Sequence, residues 1–143
     1  MTDLSKLVKT AVFKVSPDVV WSFLTDKDKL GMWYHPGEEH LAEGQDYRLS
    51  NTAEDGSKNP IIWGRVLVWE PPERLVTTFC IGPFNGGETT VTWELSPFAG
   101  GTRLTMTHDG IADAAGEAAL PLSMALDKGW DEHFGSLREA IEG

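Results

Sequence analysis

Apolar positions at the end of the chain recur every three or four residues. Leu126, Trp130, Phe134 (or its neighbour His133), Leu137 and Ile141 share one stripe, and Asp127, Lys128, Asp131, Glu132, Arg138 and Glu139 occupy the opposite side. This period predicts an amphipathic α-helix over Pro121–Ile141, with Pro121 and Ser123 as its start signal and Gly143 as its stop. A helix of about 20 residues is roughly 30 Å long at 1.5 Å per residue, which is long for a chain of 143 residues.

Upstream, Leu7–Val15 carries Val8, Val12, Phe13 and Val15 and reads as a first strand. Ser16-Pro17-Asp18 ends it and offers an N-cap with proline at the first helical position. Val20, Trp21, Phe23 and Leu24 then mark a short helix, and Thr25-Asp26 caps a second one through Leu30, closing near Gly31. From Gly44 the period falls to two. Strands are predicted around Tyr47–Leu49 and over Ile61–Glu70, Arg74–Ile81, Thr89–Ser96 and Thr102–His108. Asp55-Gly56, Pro71-Pro72-Glu73, Asn85-Gly86-Gly87 and Ala99-Gly100-Gly101 separate them as turns. Residues 111–122, rich in alanine and glycine, read as a loop or frayed helix.

This order predicts an α+β fold: an antiparallel sheet, wet on one face, curved around the long C-terminal helix, with two short helices after strand 1. The missing crossover helices argue against a Rossmann-type parallel sheet. The length favours one domain over residues 1–143. The formal net charge of −10 argues against nucleic acid and anionic membranes as partners. The single cysteine, Cys80, excludes an intramolecular disulfide and fits a reducing compartment. No apolar run approaches the roughly 20 residues that span a bilayer, and Met1–Thr10 lacks a signal-peptide core. The expectation is a cytoplasmic protein without membrane insertion.

Several segments carry a resemblance. They are Ser16-Pro17-Asp18-Val19-Val20-Trp21, Leu24-Thr25-Asp26 with Trp33 downstream, Glu43-Gly44, and Gly64-Arg65-Val66 leading to Glu70-Pro71-Pro72-Glu73-Arg74-Leu75. Gly101-Thr102-Arg103-Leu104-Thr105-Met106-Thr107-His108 and Gly129-Trp130 complete the set, which runs through nearly the whole chain. Together they resemble the START-like, polyketide cyclase and lipid-transport superfamily (SRPBCC), within it the bacterial AHSA-type proteins, similar to the C-terminal domain of the heat-shock-protein ATPase activator. The resemblance implies a helix-grip fold with a pocket between the long helix and the sheet. It supplies no catalytic motif, because the superfamily houses carriers, cyclases, hydrolases and cochaperone-like domains on one scaffold.

Trp33, Tyr47, Phe79, Trp93, Met106, Trp130 and Phe134 are the candidates for apolar ligand contact. The same residues could instead pack as a solid aromatic core, and both readings stay open. His108 shares a strand face with Leu104 and Met106, so it points inward, as a structural histidine, a polar ligand anchor with Tyr47, or a general acid–base. The faces of Trp63, Arg48, Arg65, Arg74 and Arg103 are not fixed by alternation. His35 and His40 bracket Glu38 and Glu39, but the segment matches no metal-ligand spacing and reads as a loop at the pocket mouth. Gly82–Gly87 lacks the lysine and the following helix of a phosphate loop, and there is no nucleophile elbow. No cofactor or metal is expected. The leading expectation is binding of a small hydrophobic or amphipathic molecule in an internal cavity. A cyclase- or hydrolase-type enzyme using His108, and a chaperone-ATPase-activator-like interaction domain, are the alternatives. A homodimer through the sheet edge or the helix is left open.

Overall fold

The computed structural model describes residues 6–142. The Gly143 stop signal and the first half of Met1–Thr10 lie outside the described residues. Six strands form one antiparallel sheet in the order β1-β6-β5-β4-β3-β2. They are β1 (Leu7–Phe13), β2 (Asp46–Thr52), β3 (Lys58–Glu70), β4 (Arg74–Phe79), β5 (Thr89–Phe98) and β6 (Gly101–Asp109). Helices α1 (Pro17–Thr25) and α2 (Lys27–Trp33) follow β1, and α3 (Ile111–Ala115) and α4 (Ala119–Glu142) close the chain. The curved sheet around a long C-terminal helix is the α+β arrangement expected from the sequence.

Alternation along the strands sorts the two faces of the sheet. Val91, Trp93 and Leu95 on β5, and Leu104, Met106 and His108 on β6, are buried, whereas Glu94 and Arg103 between them are exposed; on the central strand β4 every residue from Leu75 to Phe79 is buried. Arg48, Arg65 and Arg74 are exposed as well. Trp63 is 37% exposed and pairs with Cys80 through an isolated bridge. The run Ile61-Ile62-Trp63 is apolar on both faces, which hid its orientation.

Local sequence explains most helix boundaries. The Asp26 carboxylate accepts the Asp28 and Lys29 backbone N–H groups at 2.9 and 3.1 Å, which caps α2. That helix runs past Gly31 to Trp33, beyond the expected stop. Ser16 occupies the N-cap position of α1 without a side-chain capping bond. Helix α4 begins at Ala119, before the expected start, and residues 111–118 form a short helix and a 3₁₀ turn, the helical one of the two readings left open for this stretch. Pro121 sits in the first turn of α4, where its missing N–H leaves no intrahelical bond unmade. Of the predicted apolar stripe, Trp130 and Leu137 are fully buried, and Leu126, Phe134 and Ile141 are half-buried. Lys9, on the edge strand β1, tethers α4 through Asp127 at 2.6 Å and Asp131 at 2.8 Å.

The ladder between β3 and β4 opens at one place. The Arg65 backbone N–H donates to Thr78 Oγ1 at 2.8 Å, and the Tyr47 hydroxyl donates to the Thr78 carbonyl at 2.6 Å. Gly64, which pairs with Tyr47 across β2–β3, makes this possible. A Cβ there would lie 2.3 Å from the Thr78 oxygen. Gly64→Ala is therefore expected to force the strands apart and to cost about 1–3 kcal/mol, the usual penalty of overpacking. The urea-unfolding midpoint reads this out. A shift within noise would mean that β3 and β4 separate freely at this point.

Candidate functional site

Most of the space between α4 and the sheet is filled. Trp33, Tyr47, Phe79, Trp93 and Trp130 surround an inner cavity of only about 30 Å³, the share of roughly one water molecule in the liquid. The ring of Trp93 meets Trp33 and Trp130 edge-on at 6.0 and 5.6 Å, and it stacks on Phe134 at 6.1 Å. Such offset and edge-to-face pairs are the low-energy packings of aromatic rings. Met106 is fully buried, and neither it nor Phe134 lines this cavity.

His108 points inward, as alternation predicts, but it lines none of the cavities found among the described residues. Both ring nitrogens are engaged. Trp130 Nε1–H donates to His108 Nδ1 at 3.1 Å, and His108 Nε2 lies 2.8 Å from Thr89 Oγ1. The Thr89 hydroxyl in turn donates to the Phe79 carbonyl at 2.7 Å. The directions agree only if Nε2 carries the proton and Nδ1 is the acceptor. Burial pushes the His108 pKa down to about 4, so the ring is neutral at pH 7. This histidine ties α4 to β5 and β6. It has no free nitrogen to offer a ligand or a reaction.

A second void opens beside the first. A cleft of about 180 Å³ lies between α4 and the β3–β4 side of the sheet. Ile61, Ile62, Ile81 and Leu126 supply aliphatic walls, and Tyr34, Phe79 and Trp130 line both this cleft and the inner cavity. Its base on α4 is Gly129, where a Cβ would meet no atom within 4 Å. Its polar groups are Tyr34, His35 and His133. The chain leaves α2 at Tyr34 with φ −131° and ψ −108°. This turn sets the Tyr34 ring 5.4 Å from Trp130 and 4.7 Å from His133. His35 follows, its ring 5.5 Å from His133.

His133 Nδ1 lies 3.3 Å from the Trp33 carbonyl and can only donate to it, which leaves Nε2 as an acceptor in the neutral ring. Among the described residues neither this nitrogen nor the Tyr34 hydroxyl has a hydrogen-bond partner. Burial lowers the pKa of His133. It also lowers that of His35, with the nearby His133 adding to the effect. Burial raises the Tyr34 phenol well above its usual value. All three groups are uncharged at neutral pH.

Sequence reasoning did not single out Tyr34, His35 or Gly129 as ligand contacts. His133 appeared only as an alternate to Phe134, three residues after Trp130. The loop from His35 to His40 disperses its polar groups. His35 turns toward α4, His40 Nδ1 accepts the Lys27 N–H at 3.1 Å, and Glu38 bonds the Ser50 hydroxyl. Among the described residues no group of three or more His, Cys, Asp or Glu is placed to hold a metal ion. No helix of the described residues is long and apolar enough to cross a membrane. A larger concavity, about 830 Å³, is an open groove that includes Arg48, Trp63, Arg65 and Glu88. Its charged rim, where Arg65 pairs with Asp46 at 3.0 Å, makes it a poor place to remove apolar surface from water.

The family model described as Activator of Hsp90 ATPase homolog 1-like protein matches residues 14–142. The chain belongs to this family. Its SRPBCC-type scaffold recurs in solved structures that match nearly the whole length of this AHSA-type chain. A protein of Mesorhizobium loti is 23% identical with a TM-score of 0.77, the match covering 96% of each chain. One from Rhodobacter sphaeroides is 29% identical with a TM-score of 0.72, covering 96% of this chain and 91% of the other. DynU16, a protein in the dynemicin biosynthetic locus, is 22% identical with a TM-score of 0.77. That match covers 98% of this chain but 48% of DynU16, so the AHSA-type chain spans about half of it. No curated protein matches the sequence. These likenesses carry the fold alone.

Proposed function

We infer that this AHSA-type domain binds a small hydrophobic or amphipathic molecule between α4 and the sheet. The observation that carries the reading is the cleft over Gly129, an apolar concavity of about 180 Å³ that shares three aromatic walls with the inner cavity. A cavity of about 150 Å³ lined by aliphatic and aromatic side chains is known to take up benzene. Rotation of Tyr34 or Phe79 would join the cleft to the inner cavity and deepen it. Glycine in the middle of a helix costs roughly 1 kcal/mol relative to alanine. At Gly129 no packed neighbour explains the missing side chain, and the empty space it leaves belongs to the cleft. An acid–base role for His108 has no support in this geometry, since both its nitrogens are already bonded.

Gly129→Leu separates binding from folding. The new side chain would enter open space and fill the cleft, while the helix gains propensity. Toluene binding measured by calorimetry is expected to weaken at least tenfold in the variant, with an unchanged or higher melting temperature. Equal toluene affinity in both proteins, or no binding to either, would overturn the reading.

A further inference from the structure

The lining of the cleft restricts what kind of molecule belongs there. It contains no Lys, Arg, Asp or Glu, so neither an anion nor a cation would find a counter-charge inside. Two of its lining residues nevertheless carry a polar atom with no hydrogen-bond partner among the described residues, His133 at Nε2 and Tyr34, which borders the inner cavity as well, at its hydroxyl. Neither atom is sealed off, because among the described residues no fully buried side-chain nitrogen or oxygen lacks a hydrogen bond, so both are reachable from the open cleft. Free hydrogen-bonding capacity inside an otherwise apolar cleft is what a ligand with one polar group would use.

Resting on the binding reading above, we propose that the cleft takes an uncharged monocyclic hydroxy-aromatic, a phenol. Its ring would lie against Trp130 and the isoleucines, its O–H would donate to His133 Nε2, and Tyr34 would donate to its oxygen. The volume sets the size at one ring, since about 150 Å³ accommodates benzene. The Trp33 carbonyl sets the polarity. By accepting from His133 Nδ1 it holds the tautomer in which Nε2 can only accept. Burial disfavours the charged ring, and only the neutral His133 offers an acceptor. His35 faces the same ring, and the Glu132 carboxylate next to it in the chain acts in the opposite sense, favouring the charged form.

The test compares three probes of one shape by calorimetry on the full chain at pH 7.5: toluene, p-cresol and p-toluate. The wild-type protein is expected to bind p-cresol at least tenfold tighter than toluene and to bind p-toluate more weakly than either. His133→Leu should bring p-cresol down to the toluene affinity without changing toluene itself, which also shows that the cleft has survived the substitution. Tyr34→Phe should remove part of the preference. Equal binding of p-cresol and toluene by the wild type, or a preference that persists in His133→Leu, overturns the polar pair while leaving the apolar cleft standing. p-Toluate binding as tightly as p-cresol overturns the neutral class. Failure of all three probes to bind the wild type removes the cleft reading itself.

Discussion

Trp130→Ala is expected to lower the unfolding free energy by about 3–5 kcal/mol. For a chain of this size each kcal/mol moves the melting temperature by roughly 2–4 °C, so the variant should melt about 10 °C or more below the wild type. Trp130 is 3% exposed and stands among Tyr34, Phe79, Trp93 and His133 at ring separations of 5.4 to 6.1 Å. The inner cavity holds only about 30 Å³ before the substitution, so most of the volume of an indole ring would be added to it. Refilling a void of that size would take the surrounding rings out of the tilted and edge-to-face packing they now make, which carries its own cost. The loss is also polar. Without the Trp130 N–H, Nδ1 of His108 is left unpaired inside the core. Trp130→Phe isolates that part. It keeps most of the packing and should cost about 1–3 kcal/mol for the orphaned acceptor. Urea denaturation of the three proteins measures both effects. A cost below about 1 kcal/mol for Trp130→Ala would mean that the side chain lines open space.

The reason Trp130 could be picked from the sequence is that helical periodicity is local. Leu126, Trp130, Leu137 and Ile141 declare one face of α4 whatever the rest of the chain does. Strand alternation is local too, and it turned His108 inward correctly. What it could not supply were the partners. Thr89 and Trp130 reach His108 across 19 and 22 residues of sequence, and only the assembled sheet and helix bring them together. The same limit applies to the cleft. Tyr34 and His35 follow the end of α2 and precede Pro36-Gly37, a stretch with no period to read. Their approach to His133, about 100 residues later, depends on how α2 sits against α4. The choice between a solid core and a lined cavity was beyond the sequence for a different reason. It depends on how six or seven rings tile, and composition does not contain their angles. The outcome lies between the two readings, a core packed around His108 with a small cleft beside it. Trp63 failed for want of alternation, and no local rule would have placed the Tyr47 hydroxyl in the gap opened by Gly64.

The second large effect is acid sensitivity above the carboxylate range. The pKa of His108 is pushed down to about 4 in the folded protein, against about 6.5 for an unperturbed histidine. As the pH falls below 6.5 the unfolded chain takes up a proton that the folded chain refuses. Stability contributed by the neutral ring is thus fully present above pH 6.5 and is lost progressively down to about pH 4. The whole difference is on the order of 3 kcal/mol, since each tenfold change in proton affinity corresponds to about 1.4 kcal/mol. His35 and His133 have their pKa values moved in the same direction and add to the slope as the pH falls below 6.5. Asp26 and Asp55, whose hydrogen bonds hold their carboxyls below the usual value, contribute only at lower pH, as protonation of the unfolded carboxylates begins. Geometry gives the low proton affinity of His108 a concrete cause. A proton on Nδ1 would confront the Trp130 N–H, donor against donor, at 3.1 Å. His108→Gln removes the titration. Gln should lower stability at pH 7, because it cannot hold both Trp130 and Thr89, yet its unfolding free energy should fall less steeply than that of the wild type between pH 6.5 and 4.5. The difference in slope approaches one proton, about 1.4 kcal/mol per pH unit. Parallel slopes for the two proteins, or an NMR titration of His108 with its midpoint near 6.5, would show that the ring is not held in its neutral form by the Trp130–Thr89 network.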